Sequence, residues 1–136
     1  MNSTHHNSCT PQLKVFLVDD YAPIRGRIAG LLKAMKGVAV VGEAETPDSA
    51  TRDILESNPD AVLLDLQLTG GTGLDVLKAV HADRPAIVFI VLTNHVNPQY
   101  RQLCMASGAS HFLDKSHDFQ QVEKILFDLQ ASKTCH

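Results

Sequence analysis

The stretch Ala61-Val62-Leu63-Leu64-Asp65-Leu66-Gln67-Leu68 decides how this chain is read. It is an apolar run that meets one carboxylate and then breaks into Thr69-Gly70-Gly71-Thr72-Gly73. Pro59 lies just before it. A run this short, bounded by proline and a glycine cluster, reads as a buried strand rather than a helix. Asp65 then falls at, or just past, the C-terminal end of that strand. In open α/β sheets ligands bind and chemistry occurs at that edge. The expectation is a phosphorylatable carboxylate at Asp65, with a metal and a counter-charge supplied from elsewhere in the chain.

Outward from this stretch the pattern alternates. Leu13 to Val18 is a β-branched apolar run that ends on Asp19-Asp20. From Pro23, the residues Ile24, Ile28, Leu31, Leu32 and Met35 share one helical face, and Gly37 stops the helix. Val38 to Ala44 reads as a strand. Thr46-Pro47 pairs an N-cap with a first-turn proline, opening a helix with Ala50, Ile54 and Leu55. Gly73 to His81 reads as a helix with Leu74, Leu77 and His81 on one side and Val76 and Val80 flanking. Ala86 to Leu92 is a further strand, stopping on Thr93-Asn94. Asn97-Pro98 repeats the cap and proline before a helix carrying Leu103, Met105 and Ala106, which ends at Gly108. Ser110 to Leu113 is a short strand, followed by Asp114-Lys115-Ser116. A last helix places Phe119, Val122, Ile125, Leu126 and Leu129 on one face. Five strands alternating with five helices predict an α/β fold, a five-stranded parallel sheet covered on both faces. Strands that are apolar throughout agree with burial on both sides.

The bulk properties set limits. The chain has 136 residues, 44% of them hydrophobic and 20% charged, which suits one domain with a full core. Residues 1–12 read as a disordered N-terminal segment, 13–132 as the domain and 133–136 as a short tail. A net charge of −3 gives no support to nucleic-acid binding, which favours a basic patch. Cys9, Cys104 and Cys135 are too scattered for a disulfide framework or a zinc site, and free thiols fit a reducing compartment. His5-His6 belongs to a polar terminus rather than a metal site. There is no signal peptide and no run near the ~18 apolar residues of a membrane helix. A soluble, cytoplasmic protein is expected.

If the strands are parallel, their C-terminal ends share an edge. Asp19-Asp20, Glu43-Ala44, Asp65, Thr93-Asn94 and Lys115 are then brought together from distant parts of the chain. Taken singly, each has a plain explanation. Asp19-Asp20 suits a solvated turn, Thr93 suits strand propensity, and Lys115 suits solvent. Jointly they fit one task. Two unit charges ~5 Å apart repel by about 3 kcal/mol at an effective dielectric near 20. Asp19, Asp20 and Asp65 therefore call for a cation, and hard oxygen ligands with room for water suit Mg²⁺. Asp65 can then attack phosphorus to give an acyl phosphate. Lys115 offers a point charge and Thr93 a hydroxyl to the phosphoryl oxygens.

At these residues the chain resembles the receiver domain of two-component response regulators, in the single-domain, CheY-like form. The pattern is Val18-Asp19-Asp20, Leu64-Asp65, Gly73, Leu92-Thr93 and Asp114-Lys115, and it covers Leu13 to Ser132. The resemblance implies a flavodoxin-like, doubly wound sheet of order 2-1-3-4-5. It implies a role in bacterial phosphorelay signalling, as a phosphoacceptor switch rather than an enzyme, with Asp65 as phosphoacceptor. Asp20 would bind Mg²⁺ directly and Asp19 largely through water, with the backbone carbonyl of Gln67 completing the site. Lys115 would bind the phosphoryl group, and Thr93 and Phe112 would form the switch pair. The partners implied are a histidine kinase or histidine phosphotransfer protein, and an output partner engaged through helix 4, strand 5 and helix 5. No direct DNA binding is expected from this chain, no membrane association follows, and a homodimer is compatible.

Several positions depart from the family pattern. Asn94 stands where Ala or Gly is usual after the switch threonine, Thr69 replaces a frequent proline, and Phe112 replaces a common tyrosine. Gln67 and His95 occupy positions that tune acyl-phosphate lifetime in the family. His81 and His117 read as ordinary surface or cap residues. Two other readings compete. A Mg²⁺-dependent aspartyl-phosphate phosphohydrolase would want a second carboxylate two residues past the nucleophile, where Gln67 stands. A flavodoxin-like nucleotide binder would want a phosphate loop after the first strand, where Asp19-Asp20-Tyr21 would repel phosphate.

Overall fold

A computed structural model describes residues 12–94, 96–116 and 118–133. Cys9, Cys135, His5, His6, His95 and His117 lie outside the described residues, as does nearly all of the expected N-terminal segment and tail.

The elements run in the order β1 (Leu13–Val18), α1 (Ala22–Lys33), β2 (Val38–Ala44), α2 (Pro47–Ser57), β3 (Ala61–Leu64), β4 (Gln67–Leu68), β5 (Gly71–Thr72), α3 (Gly73–Asp83), β6 (Val88–Thr93), α4 (Pro98–Ala106), β7 (His111–Asp114) and α5 (Phe119–Ser132). The main sheet has the order β2-β1-β3-β6-β7, and every pairing in it is parallel. This is the 2-1-3-4-5 order of the five core strands, with β3 at the centre.

Strand alternation divides the core into two layers. Phe16 and Val18, Val62 and Leu64, Phe89 and Val91, and Phe112 face a cluster that includes Ala50 and Ile54 of α2, Val76, Leu77 and Val80 of α3, and Cys104 of α4. Leu13, Val15 and Leu17, Ala61 and Leu63, Ile90 and Leu92, and Leu113 face α1 and α5 through Ile28, Ala29, Leu32, Val122 and Leu126. Both faces of the sheet are therefore closed, as runs without polar alternation require. The caps form where the sequence places them. Thr46 Oγ1 accepts from Ser49 N at 3.2 Å, and Asn97 Oδ1 accepts from Tyr100 N at 2.8 Å.

Three expectations need correction. The apolar run from Ala61 is not one strand to Leu68. The main-sheet strand ends at Leu64, and Gln67–Leu68 pairs antiparallel with Gly71–Thr72 as a separate hairpin. The glycines after Leu68 are thus the tip and return of a turn. In α1, Leu31 is exposed while Ala29 is buried, because the buried face centres on Ile28 and Leu32 and leaves Leu31 at its margin. In α4 the buried side chain is Cys104, whereas Leu103, Met105 and Ala106 are exposed. A nine-residue helix packed at the side of β7 turns only a narrow face inward. Among the described residues, no helix is long and apolar enough to cross a membrane.

Candidate functional site

The C-terminal ends of β1, β3, β6 and β7 converge on one edge, and the candidate residues stand there. β1 pairs with β3 as far as Val18 and Leu64, so the next residues, Asp19 and Asp65, emerge side by side. The Asp65 N–H donates back to the Val18 carbonyl at 3.0 Å, and the Asp19 N–H donates to the Ala44 carbonyl at 3.1 Å. The acids are therefore carried on hydrogen-bonded extensions of the sheet rather than on free loops.

Oxygens of Asp19, Asp20 and Asp65 lie within 4.8 Å of one another. Asp19 and Asp65 are buried, and Asp20 is exposed. The Lys115 ammonium enters this cluster from just past β7, pairing with Asp19 Oδ2 and, at 3.0 Å, with Asp65 Oδ2. Its backbone N–H donates to the Thr93 carbonyl at 3.0 Å, which fixes where its stem begins. The other Asp65 oxygen, Oδ1, accepts from the Gln67 N–H at 3.2 Å, and Asp19 Oδ1 accepts from the Tyr21 N–H at 2.9 Å.

Burial pushes the Asp65 carboxyl above the ordinary carboxylate range. The hydrogen bond and charge of Lys115 pull it back, and the Asp19 charge adds to the rise. For Lys115, burial acts to lower the ammonium's value, but its contacts with Asp19 and Asp65 outweigh burial and raise it. The two directions differ because one ammonium is shared by two carboxylates. The 3.0 Å contact fits the charged pair, so Asp65 is best taken as ionised beside a protonated Lys115. Three carboxylates and one ammonium leave a net charge of two negatives in the cluster. A divalent cation with oxygen preference fits that deficit and that donor set.

Thr93 ends β6 and is fully buried. Phe112 pairs with Val91, two residues before Thr93, so its ring lies on the same sheet face as the Thr93 side chain. That ring is buried against the core beside Cys104. Asn94 is exposed, with Oδ1 in a hydrogen bond to Ser116 Oγ at 3.2 Å. Glu43 reaches the same edge but stands apart from the acid cluster and pairs with Arg25 at 3.0 Å. His81 is half-buried rather than a surface residue. Its ring lies where a side chain on Gly108 would meet it at 2.5 Å.

Three contributors escape a reading by strand ends. Thr69, at the hairpin turn, donates its hydroxyl to Asp20 Oδ2 at 3.2 Å. Gly73 brings the start of α3 against the Asp65 backbone, and its N–H donates to the Leu66 carbonyl at 2.8 Å. Arg25 of α1 donates from Nη1 to the Asp19 carbonyl at 2.6 Å. Only Gly73 carried a signal, as a glycine at the first position of a helix. The other two are contacts between distant segments.

The family model for the response regulator receiver domain matches residues 15–127. The response regulator UvrY of Escherichia coli K12 is 31% identical over 110 residues, covering 81% of this chain and 50% of UvrY. The DNA-binding transcriptional activator DevR/DosR of Mycobacterium tuberculosis is 27% identical, covering 90% of this chain and 56% of that protein. The signal receiver domain of the putative response regulator NarL from M. tuberculosis superposes with a TM-score of 0.82 at 26% identity, covering 90% and 99% of the two chains. The chain thus spans about half the length of the curated relatives it matches. These relatives correct one expectation. Output through a protein partner at helix 4, strand 5 and helix 5, set against DNA binding, does not describe them, since DevR/DosR is itself a DNA-binding activator. The low net charge of a receiver says nothing about the remainder of such a regulator. With the family model matching most of its length, the chain belongs to the response regulator receiver domain family, the switch module of two-component signalling.

Proposed function

We propose that Asp65 is the phosphoacceptor of this receiver domain and takes a phosphoryl group with Mg²⁺. Aspartyl phosphorylation and Mg²⁺ binding are general to the family. The observation that carries the proposal is the buried Asp65 at the sheet edge, within 4.8 Å of two further carboxylates and 3.0 Å from the Lys115 ammonium. Asp19, Asp20, Asp65 and the backbone carbonyl of Gln67 would hold the cation. It would offset the mutual repulsion of the acids and the charge of the arriving phosphoryl group.

The remaining work falls to this chain's own groups. The Gln67 N–H and Lys115 orient the Asp65 carboxylate, and an oxygen of that carboxylate attacks phosphorus as the donor's bond to phosphorus breaks. Lys115 then follows the negative charge onto the phosphoryl oxygens. Thr93 supplies a hydroxyl to another oxygen, and the inward Phe112 ring leaves room on that side for the hydroxyl to move. Turnover is limited to the domain's own phosphotransfer and autodephosphorylation. Gln67 carries no acid to speed hydrolysis, and its exposed side chain disfavours the phosphohydrolase reading.

The test is incubation with Mg²⁺ and acetyl phosphate, followed by intact mass. One phosphoryl adduct is expected, absent when Mg²⁺ is chelated and absent in Asp65→Asn. An adduct that survives in Asp65→Asn refutes the assignment, and fast turnover of a generic phosphate ester would favour the hydrolase.

A further inference from the structure

We infer that Arg25 is a positioning residue for the acid cluster, acting through the Asp19–Asp20 peptide; this rests on the phosphoacceptor reading above. Arg25 lies in the first turn of α1, and only 14% of its side chain is exposed. Nη1 donates to the Asp19 backbone carbonyl at 2.6 Å, Nε to Glu43 Oε1 at 3.0 Å, and Nη2 to Glu45 Oε1 at 3.0 Å. One guanidinium thus ties the β1–α1 loop to the end of β2 and the residue just beyond it.

The Asp19 N–H is already held by the Ala44 carbonyl. Arg25 holds the carbonyl of the same residue. A peptide unit is planar, so fixing that carbonyl also fixes the nitrogen and Cα of Asp20. Asp20 is the exposed member of the cluster, and its side chain is otherwise steadied by the Thr69 hydroxyl at 3.2 Å. Arg25 therefore sets the direction from which Asp20 reaches the cation, without touching the cation or the phosphoryl group.

Charge is not what the position demands. A cation beside a metal site would weaken metal binding, yet Glu43 and Glu45 both pair with this one. What remains is a rigid fork of donors, which a lysine ammonium cannot reproduce across three separate acceptors.

The experiment is Mg²⁺ titration by calorimetry, with acetyl phosphate kinetics as a function of Mg²⁺, on wild type, Arg25→Met and Arg25→Lys. Each variant is expected to raise the Mg²⁺ dissociation constant by about tenfold, the range seen when groups behind a metal ligand are lost. The phosphorylation rate at saturating Mg²⁺ should stay close to wild type, because Asp65 and Lys115 are untouched. Arg25→Lys keeps the stem and the charge, so it reports even if Arg25→Met does not fold. Unchanged Mg²⁺ affinity in Arg25→Lys, or tighter binding in Arg25→Met, overturns the role. Lower stability with wild-type affinity overturns it as well, since a purely structural residue would behave that way. A wild-type protein that takes neither Mg²⁺ nor phosphate would instead overturn the phosphoacceptor reading on which the role rests.

Discussion

Gly73→Ala is the sharpest test of how the scaffold positions Asp65. A Cβ built at Gly73 would sit 2.2 Å from the Asp65 carbonyl oxygen, 3.1 Å from its carbonyl carbon and 3.1 Å from Leu64 Cγ. Ordinary contact starts near 3.4 Å, so relief requires a movement of about 1 Å. The atom in the way is backbone, and that backbone is held by the Asp65 N–H bond to Val18, so no side chain can swing aside. Forcing an extra carbon into a packed site costs about 1–3 kcal/mol. The same displacement carries the carboxylate with it, and a misplacement of about 1 Å can lower a positioned reaction by about a hundredfold. Gly73→Ala should therefore lose both denaturant stability and the Mg²⁺-dependent rate of acetyl phosphate labelling, the second by far more than instability alone explains. Labelling is measured by intact mass over time, at temperatures where the variant remains folded. Wild-type labelling in a folded Gly73→Ala protein would refute the claim that the α3 start sets the Asp65 backbone.

Gly30 of α1 is exposed, and a Cβ added there would meet nothing within 4 Å, so Gly30→Ala should gain about 0.5–1 kcal/mol in chemical denaturation. A loss would mean that α1 is bent or crowded there. His111 is held below the ordinary histidine range by burial, so its neutral form suits the fold. Its contribution is complete above the unfolded value near 6.5 and declines as pH falls through that value toward the lower folded one. In urea melts between about pH 7.5 and 5.5, a window that brackets this titration, wild type should lose stability relative to His111→Gln. Parallel curves would remove His111 from the account.

How far the sequence carried depends on which interaction decided each feature. β1 and β2 fall on the expected residues because each is a short apolar run cut by carboxylates or glycine. The two proline-backed caps are local chemistry and were legible for the same reason. Leu66 to Leu68 misled because apolarity marks burial without naming the partner. Leu68 is buried by the hairpin and not by the main sheet. The α4 residues misled similarly, since a short edge helix leaves apolar side chains outside. For the site, strand-end logic brought Asp19, Asp20, Asp65, Thr93 and Lys115 to one edge. It could not anticipate Arg25 or Thr69, whose partners lie on other segments and carry no spacing rule.

Those two residues change what the departures from the family pattern mean. Thr69 stands where proline is frequent, a substitution that by itself gives the loop back its backbone freedom. Here the segment is closed by the pairing of Gln67–Leu68 with Gly71–Thr72, so the freedom is removed by hydrogen bonds instead of by a ring. The hydroxyl gained at the turn is then directed at Asp20. Asp20 is thereby approached from two sides, by Thr69 at its side chain and by Arg25 through the preceding carbonyl. Asp19 and Asp65 need less support, because both are buried and share the Lys115 ammonium. The exposed acid is the one that needs indirect positioning, and the chain supplies it from the two segments flanking the site.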